Sequence, residues 1–268
     1  MTISSFFVTS RFRRFGFLKL PAALLWVGMV GFLVCGSASL AYGTGLKLSV
    51  TPIPGVFLVG GEEIKLAHVF VPAALHTDSL AITKQIIDAT DISTAQVVKA
   101  ARSATDRYGR PFADVILGET SLTIRLIKAG ALLPYFEPET PDSYIQAMQA
   151  ARKTQSGLWR TPFLDPIPAT AAEARIGNFA IVIGKVVSVG ERRTRIYLNF
   201  GRNWNTDFTV VGTRPGVDNW LVDGVPLRDV TDRCVEVFAF LSDNRGPYAA
   251  LQNNNQINIL PDQACKQP

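Results

Sequence analysis

Apolar and polar positions alternate differently along the two main parts of this chain of 268 residues. Residues 42–161 mix short alternating stretches with stretches at helical spacing, which predicts strands and helices together. Residues 175–268 alternate almost throughout, which predicts a region built from strands. Three prolines lie close together between these regions, so residues 162–174 are predicted to form a proline-rich linker.

The first region has a predicted order of strands and helices. Residues 46–72 alternate enough for two or three short strands with a turn at Gly60-Gly61. The clearest helix is predicted to begin with Thr140 as its cap and Pro141 at its first position, and to stop at Gly157. Further helices are predicted within 76–90 and 121–130, and further strands within 95–104 and 111–118.

The second region carries five predicted strands separated by turn signals. A segment that can form at least one helical turn, residues 217–233, lies between the third and the fourth strand. Five strands with such an insertion fit a Greek-key barrel of the OB type, and a small open β-sandwich is the alternative.

Aromatic residues and arginine are interleaved in the middle of the second region. Residues 197–208 include Tyr197, Phe200, Arg202, Trp204 and Phe208. Such a stretch can form a stacking platform for nucleic-acid bases. Alternate rings can instead face a barrel interior, and the zero net charge of residues 165–268 favours this second interpretation.

The N-terminal segment has the pattern of an export signal. Residues 1–41 carry four basic residues and no acidic one, and Leu20–Val34 is an uncharged apolar stretch of 15 residues. Small residues at Ser39 and Ala41 follow at the spacing that a signal peptidase requires. We therefore expect a secretory signal peptide cleaved near Ala41 or an uncleaved signal anchor, and a location in the periplasm or at the membrane facing it.

The formal net charge of +5 comes mostly from this N-terminal segment. Residues 42–268 contain 23 basic and 22 acidic residues, so the body of the protein is nearly neutral. A tight nucleic-acid binder normally has a basic body, so we expect weak or no nucleic-acid binding. The expected partner is an unidentified protein or an anionic ligand, together with the membrane if the signal is not cleaved.

Two cysteines remain once the signal is removed. Cys234 and Cys265 would then lie in an oxidising compartment, which favours a disulfide between them. A simple hairpin register places Cys234 opposite Asn255, so the tail must turn back at Pro261-Asp262 to bring Cys265 close. Two cysteines and two isolated histidines make no metal-ligand cluster, so no metal site is predicted from them.

The stretch TDRYGRPFADV, with a turn at residues 106–109 that leads Arg110 into a strand, resembles part of the staphylococcal-nuclease, or thermonuclease, family. The final Gly157-Leu158-Trp159, at the right separation, also resembles the family, and the likeness covers about residues 50–160. The resemblance implies a five-stranded OB barrel with three helices, and calcium-dependent hydrolysis of phosphodiesters in DNA and RNA. The expected fold class is therefore mainly β, with a thermonuclease-like OB barrel followed by a smaller OB-like barrel.

The first half of the family pattern is altered in this sequence. The family shows D-G-D-T and then R-L-x-G-I-D-x-P-E, whose acidic groups hold calcium and whose arginine binds phosphate. On a gapless alignment, Gly55, Phe70 and Ala73 replace three carboxylates, and Lys65 replaces the arginine. The resemblance therefore implies that the calcium site is lost, so that no cofactor is expected. Glu62 and Glu63 fall in a predicted turn and are expected to be solvated.

The candidate binding residues that remain are Lys65, Tyr108 and Arg110, and no catalytic residue is assigned. Arg110 is the family position that is retained, and Lys65 is a candidate phosphate contact. We expect an exported thermonuclease-like protein that is catalytically degenerate and acts as a binding or scaffolding module. The alternatives are a phosphodiesterase with an altered active site and a structural envelope protein without a nucleic-acid role.

Overall fold

A computed structural model describes residues 47–93, 95–99, 104–203 and 206–266. The predicted signal segment, residues 1–41, lies outside these ranges. The described residues all fall within one compact unit. In this part of the chain, no helix is both long enough and apolar enough to cross a membrane.

The first region combines short strands with three α-helices. Its strands are β1 (Leu48–Val50), β2 (Val56–Val59), β3 (Glu62–Leu66), β4 (Val69–Phe70), β5 (Ala95–Lys99), β6 (Phe112–Leu117), β7 (Thr120–Ser121) and β8 (Leu133–Pro134). Its helices are α1 (His76–Asp88), α2 (Leu122–Lys128) and α3 (Asp142–Lys153).

The main sheet of the first region is curled into part of a barrel. Its strand order is β1-β2-β3-β6-β5, with β3 parallel to β6 and the other neighbours antiparallel. Burial alternates along β6, which places Val115 and Leu117 in the core. The strands β1 and β5 are the two edges of this path, so the barrel is open between them. This order, with its parallel pair, confirms the OB-like barrel with helices.

Two glycines join α2 to the segment after α3. A Cβ on Gly130 would lie 2.1 Å from the Ser156 carbonyl oxygen, and one on Gly157 would lie 2.4 Å from the Ala129 oxygen. Both glycines also have positive φ. The backbones therefore approach as closely as glycine alone allows, and the neighbouring Trp159 is buried at 6% exposure.

The last α-helix begins and ends inside its predicted bounds. Pro141 is the N-cap residue of α3, and the Thr140 hydroxyl instead accepts a hydrogen bond from the Glu137 amide at 3.3 Å. The helix ends at Lys153, and Gly157 begins a separate 3₁₀ helix, Gly157–Arg160. The predicted Thr140 cap and Gly157 stop are therefore wrong by a few residues.

The second region is built from strands linked by short 3₁₀ helices. Its strands are β9 (Ile167–Pro168), β10 (Phe179–Lys185), β11 (Ser188–Glu191), β12 (Arg195–Asn199), β13 (Thr209–Thr213), β14 (Leu221–Val222), β15 (Val225–Pro226), β16 (Cys234–Phe240), β17 (Ser242–Asp243), β18 (Pro247–Leu251) and β19 (Ile257–Leu260). The segment predicted to be helical forms the β14-β15 hairpin and one 3₁₀ turn, Leu227–Asp229.

These strands form two sheets around one core, and we call this region the second barrel. One sheet has the order β19-β16-β10-β9 and the other has the order β11-β12-β13-β18-β17, with β13 parallel to β18. Because β10 continues into β11 and β16 into β17, the two sheets join on both sides. The path through β11, β12, β13, β18 and β17 repeats the strand order of the first region, including its parallel pair, which favours the predicted OB-type barrel over an open sandwich.

The last predicted strand is divided into two. A 3₁₀ turn at Asn254–Gln256 separates β18 from β19, and the Asn253 and Gln256 side chains cap this turn reciprocally. As a result β19, and not β18, forms the ladder beside β16, and Cys234 lies opposite Leu260 rather than Asn255. The predicted register is therefore wrong because the polar run 252–255 forms a capped turn.

The tail folds back onto β16. A 3₁₀ helix, Asp262–Cys265, follows Pro261 and brings Cys265 to Cys234. The two cysteines form a disulfide with a Cα–Cα distance of 5.8 Å. This bridge ties the C-terminal end of the chain to the start of the central strand of its sheet.

The segment predicted to be a proline-rich linker, residues 162–174, is packed against the second barrel. Ile167 and Pro168 pair with β10, and the 3₁₀ helix Ala169–Arg175 follows directly. Leu164 is buried in the core of the first region, and Ala172 is buried in the core of the second barrel. Prolines break helices but do not prevent packing. The segment therefore connects the two regions as an ordered, partly buried chain rather than as a free linker.

Candidate anion-binding corner at Arg110

The turn before β6 is held by Asp106. Its backbone amide donates to the Arg110 carbonyl at 2.9 Å, and its carbonyl accepts from the Gly109 amide at 3.0 Å. Its carboxylate oxygen Oδ1 accepts from the amides of Tyr108 and Arg110 at 2.8 and 3.1 Å. Gly109 has a φ of +80°, which glycine adopts without strain. The sequence therefore fixes this corner locally, through one aspartate and one glycine.

The Arg110 guanidinium is held inside this corner. Its Nε donates to Asp106 Oδ2 at 2.8 Å, and its Nη2 lies 2.7 Å from the same oxygen. Its Nη1 lies 3.8 Å from a carboxylate oxygen of Glu63, and only 12% of the side chain is exposed. Two carboxylates therefore compete with any incoming anion for this guanidinium.

Tyr108 covers the outer side of the guanidinium. The Arg110 Cζ lies 4.8 Å from the ring centroid, and the Cζ of Arg107 lies 4.7 Å from the same ring. The ring itself is 65% exposed. Tyr108 therefore offers an accessible aromatic face beside two cationic groups.

Lys65 lies next to this corner on β3. Its residue pairs with Phe112 in the parallel β3-β6 ladder, and its amide donates to the Pro111 carbonyl at 3.0 Å. The ammonium Nζ donates to the Pro54 carbonyl at 3.1 Å. It also lies 3.1 Å from the place where a Cβ on Gly55 would stand. The lysine side chain therefore fills the space in front of Gly55.

The electrostatics of the corner affect both Lys65 and Asp106. Burial lowers the pKa of Lys65, and the charge of Arg110 lowers it further against an opposing effect of Asp106. Burial alone would raise the pKa of Asp106, but hydrogen bonds from the Arg110 side chain and from the Tyr108 and Arg110 amides hold it below its ordinary value. The aspartate therefore stays ionised against Arg110 at neutral pH.

The three predicted binding residues, Lys65, Tyr108 and Arg110, thus lie in one corner. Two of its acceptors were not predicted, because Asp106 had no assigned role and Glu63 was expected to be solvated in a turn. Glu62 and Glu63 instead belong to β3, and the parallel β3-β6 pairing brings Glu63 towards Arg110. The signal available for Asp106 was its place at the start of a turn, where its side chain accepts backbone hydrogen bonds.

The positions aligned with the family carboxylates offer no calcium ligand. Gly55 is buried, Ala73 is exposed in a 3₁₀ helix, and Phe70 is 6% exposed. Within the described ranges, no three acidic, histidine or cysteine side chains are grouped as a metal would require. Calcium prefers six or more oxygen ligands, so these residues do not fit it.

Phe70 packs against the second barrel. Its ring centroid lies 4.7 Å from that of Tyr135, 5.1 Å from Phe179 and 4.9 Å from Phe240. We call Phe70, Tyr135, Phe179 and Phe240 the junction cluster. The position aligned with a metal-ligand aspartate therefore joins the two regions through apolar contact.

The aromatic stretch of the second region is divided between the two faces of its sheet. Phe208 is 1% exposed and its ring lies 4.9 Å from that of Phe200, so these rings face the interior. Tyr197 lies between the buried Ile196 and Leu198 and therefore points to the outer face. Trp204 lies outside the described residues. The interior interpretation holds for Phe208 and not for Tyr197.

The fold and the corner together define the class of the first region: an OB-like β-barrel with helices that presents an arginine from a D-x-Y-G-R turn. Residues 76–161 match the model of the family described as "Staphylococcal nuclease homologue". This segment is therefore a staphylococcal nuclease-like domain. The match begins after Gly55, Lys65, Phe70 and Ala73, so it covers less of the chain than the likeness over residues 50–160. No curated protein matches the chain.

Proposed function

We propose that this protein is an exported, catalytically degenerate relative of staphylococcal nuclease that acts as a binding or scaffolding module. The observation that carries the proposal is the position of the Lys65 ammonium. It lies 3.1 Å from the point where a side chain on Gly55 would begin, at a position aligned with a family carboxylate. A protein cation therefore stands where the family pattern places an anionic ligand group.

Charge makes this arrangement unsuitable for a divalent cation. An ammonium and a calcium ion repel each other, and the repulsion is strong where the ammonium is partly buried. Gly55 and Ala73 carry no ligand atom in their side chains, and Phe70 carries an aromatic ring. Without the metal, the groups that remain to stabilise the charge of phosphodiester cleavage are Lys65 and an Arg110 guanidinium that Asp106 already engages.

The groups that remain are suited to weak anion binding. Lys65 and Arg110 are neighbouring cations, and Tyr108 adds an exposed ring. Asp106 already neutralises much of the Arg110 charge, so a bound anion gains less than it would from a free guanidinium. The ligand proposed for this corner is therefore an anionic group on a partner, held in a complex with many other contacts.

Export is part of the proposal and rests on residues 1–41. Their basic start, apolar stretch and small residues before position 42 support a secretory signal. The disulfide between Cys234 and Cys265 supports an oxidising compartment. Mass spectrometry of the protein from separated cell fractions tests export. We expect a protein cleaved near Ala41 outside the cytoplasm, and a full-length protein in the cytoplasmic fraction would contradict the proposal.

The catalytic part is tested with the purified mature protein and single-stranded DNA. We expect no cleavage above that of buffer, with or without calcium. Arg110→Ala is the control. Cleavage by a contaminating nuclease would be the same in preparations of this variant and of the unaltered protein. Calcium-stimulated cleavage that Arg110→Ala abolishes would contradict degeneracy and favour a phosphodiesterase with an altered active site.

A further inference from the structure

A second polar surface lies on the outer face of the second barrel. It is an open cavity of about 460 Å³ between the strands β11, β12, β13 and β18. Its lining includes the basic residues Arg192, Arg195 and Arg245 and the aromatic residues Tyr197 and Tyr248. We call these five residues the Arg-Tyr face.

Strand alternation and register bring these side chains together. Ile196 and Leu198 of β12 are each 1% exposed in the barrel core, so Arg195 and Tyr197 project from the opposite face. Thr209 of β13 pairs with Asn199 on one side and with Tyr248 on the other. One continuous outer surface therefore runs from β12 to β18 and carries both tyrosines.

The charge of this surface is of one sign. No acidic residue is among the side chains that line the cavity. Within the described part of the chain, Arg192, Arg195 and Arg245 form no ion pair, whereas the nearby Arg214 is paired with Glu191 and Asp218. The local charge is therefore positive, although residues 165–268 carry equal numbers of basic and acidic residues.

The loops at the two ends of the face are held by backbone contacts. The amide of Arg192 donates to the Arg195 carbonyl at 2.8 Å, which closes the turn between β11 and β12. Gly246, beside Arg245, has a φ of +116°, and a Cβ there would lie about 3.0 Å from the backbone of Thr206. The chain segments that carry two of the arginines are therefore fixed before a ligand arrives.

We propose that the Arg-Tyr face binds a short single-stranded oligonucleotide. The three guanidiniums suit phosphate groups at intervals along a strand, and the two tyrosine rings suit stacked bases. Flat bases stack on a tyrosine ring over their whole face, whereas the puckered sugars of an acidic polysaccharide present only C–H groups to it, so the two rings favour an oligonucleotide.

The small number of cations sets the expected strength. Neutralising three phosphates of a single strand gives a salt slope of about −2 for log K against log salt concentration. Binding is therefore weak at physiological salt, in agreement with the nearly neutral body of the protein. The proposal is independent of the proposed function, because none of its residues belongs to the corner at Arg110.

The test uses the mature protein and a fluorescein-labelled oligothymidylate of about ten nucleotides, with anisotropy measured at several salt concentrations. The double variant Arg195→Gln/Arg245→Gln should weaken binding at least tenfold and bring the salt slope from about −2 to about −0.7. The double variant Tyr197→Leu/Tyr248→Leu should weaken binding at least tenfold and leave the slope unchanged. Thermal unfolding of each variant checks that the barrel is intact.

Two controls separate this face from other sources of binding. Arg228→Gln/Arg233→Gln removes the same charge from the same region outside the cavity and should leave the affinity unchanged. Arg110→Ala should also leave it unchanged, because it alters only the first region. The proposal is overturned if the oligonucleotide does not bind at low salt, if the tyrosine variant binds normally, if an abasic oligomer of equal charge binds as tightly, or if Arg110→Ala abolishes binding.

Discussion

The two barrels have the same strand order but differ in how their cores are completed. The core of the first region includes Phe179, Ile181 and Phe238, which belong to the second barrel. Among the described residues, the core of the second barrel comes entirely from position 167 onwards. The main sheet of the first region has free edges at β1 and β5, whereas the two sheets of the second barrel enclose one core between them. The difference indicates that the nuclease-like region depends on its neighbour, while the second barrel has a core of its own.

Phe70, which is aligned with a metal-ligand aspartate of the family, contributes to the contact between the two regions. Phe70 contacts Phe179 and Phe240 through the junction cluster. A carboxylate at position 70 would be buried among these rings without a partner, which is strongly unfavourable. Packing against the second barrel and binding calcium at this position are therefore incompatible.

The largest expected effect comes from separating the two regions. Residues 42–161 produced alone lack Phe179, Ile181 and Phe238, which complete their core. Burying a side chain of this kind contributes about 1.5–3 kcal/mol. We expect this fragment not to unfold cooperatively, whereas residues 162–268 should retain a cooperative thermal transition. Circular dichroism of the two fragments measures this. A nuclease-like fragment as stable as the whole protein would contradict the dependence.

The next effect concerns an ion pair across the junction. The Arg152 guanidinium on α3 donates to both carboxylate oxygens of Glu236, at 2.7 and 2.5 Å, and the Glu236 side chain is 4% exposed. Arg152→Leu should destabilise the protein by about 3–5 kcal/mol, because it leaves a buried carboxylate without a partner. Urea denaturation measures the change.

The control for this ion pair is the double variant Arg152→Leu/Glu236→Leu. It should recover most of the lost stability, since no buried charge remains. If the double variant is less stable than Arg152→Leu, the cost arises from lost packing rather than from the unpaired carboxylate.

The disulfide should matter for the second barrel. Removing it with Cys234→Ser/Cys265→Ser should lower stability by about 3 kcal/mol, because the bridge closes a loop with a sequence separation of 31. The fragment 162–268 should lose a similar free energy of unfolding, which appears as a lower midpoint of thermal unfolding. An unchanged midpoint would mean that the turn after Pro261 holds the tail without the bridge.

A smaller effect should appear at alkaline pH. The pKa of Lys65 is lowered in the folded protein, so the unfolded chain binds a proton more readily between this lowered pKa and the ordinary value of 10.5. The stability of the protein relative to Lys65→Met should therefore rise with pH through this window. Denaturant unfolding of both proteins at several pH values measures the difference. If the stability of the two proteins changes with pH in parallel, the pKa of Lys65 is not lowered by folding.

Local signals predicted the parts of the fold that local residues determine. The turn at residues 106–109 and the proximity of Cys265 to Cys234 both depend on residues whose chemistry is visible in the sequence. The split of the last strand also had a local signal, because Asn253 and Gln256 are suited to cap a turn.

Contacts between distant residues could not be predicted in this way. The sequence located Phe70 at an altered position but gave no indication of its contact with Phe240, because the partner depends on how two barrels pack. The absence of an ion pair at Arg195 and Arg245 within the described residues was equally hidden, since it depends on which carboxylates the fold brings near. The candidate residues were thus predictable, and their electrostatic partners were not.

The central proposal, that the nuclease-like region binds no calcium because a lysine and a packed phenylalanine occupy the aligned positions, is tested most directly by thermal unfolding of the mature protein with and without calcium. A ligand that binds the folded state raises the unfolding midpoint with its concentration. We expect the same midpoint in chelator and in millimolar calcium. A midpoint that rises with calcium concentration, and that no longer does so in an Asp106→Asn/Glu63→Gln variant, would contradict the account, because it would place a functional cation site at the corner.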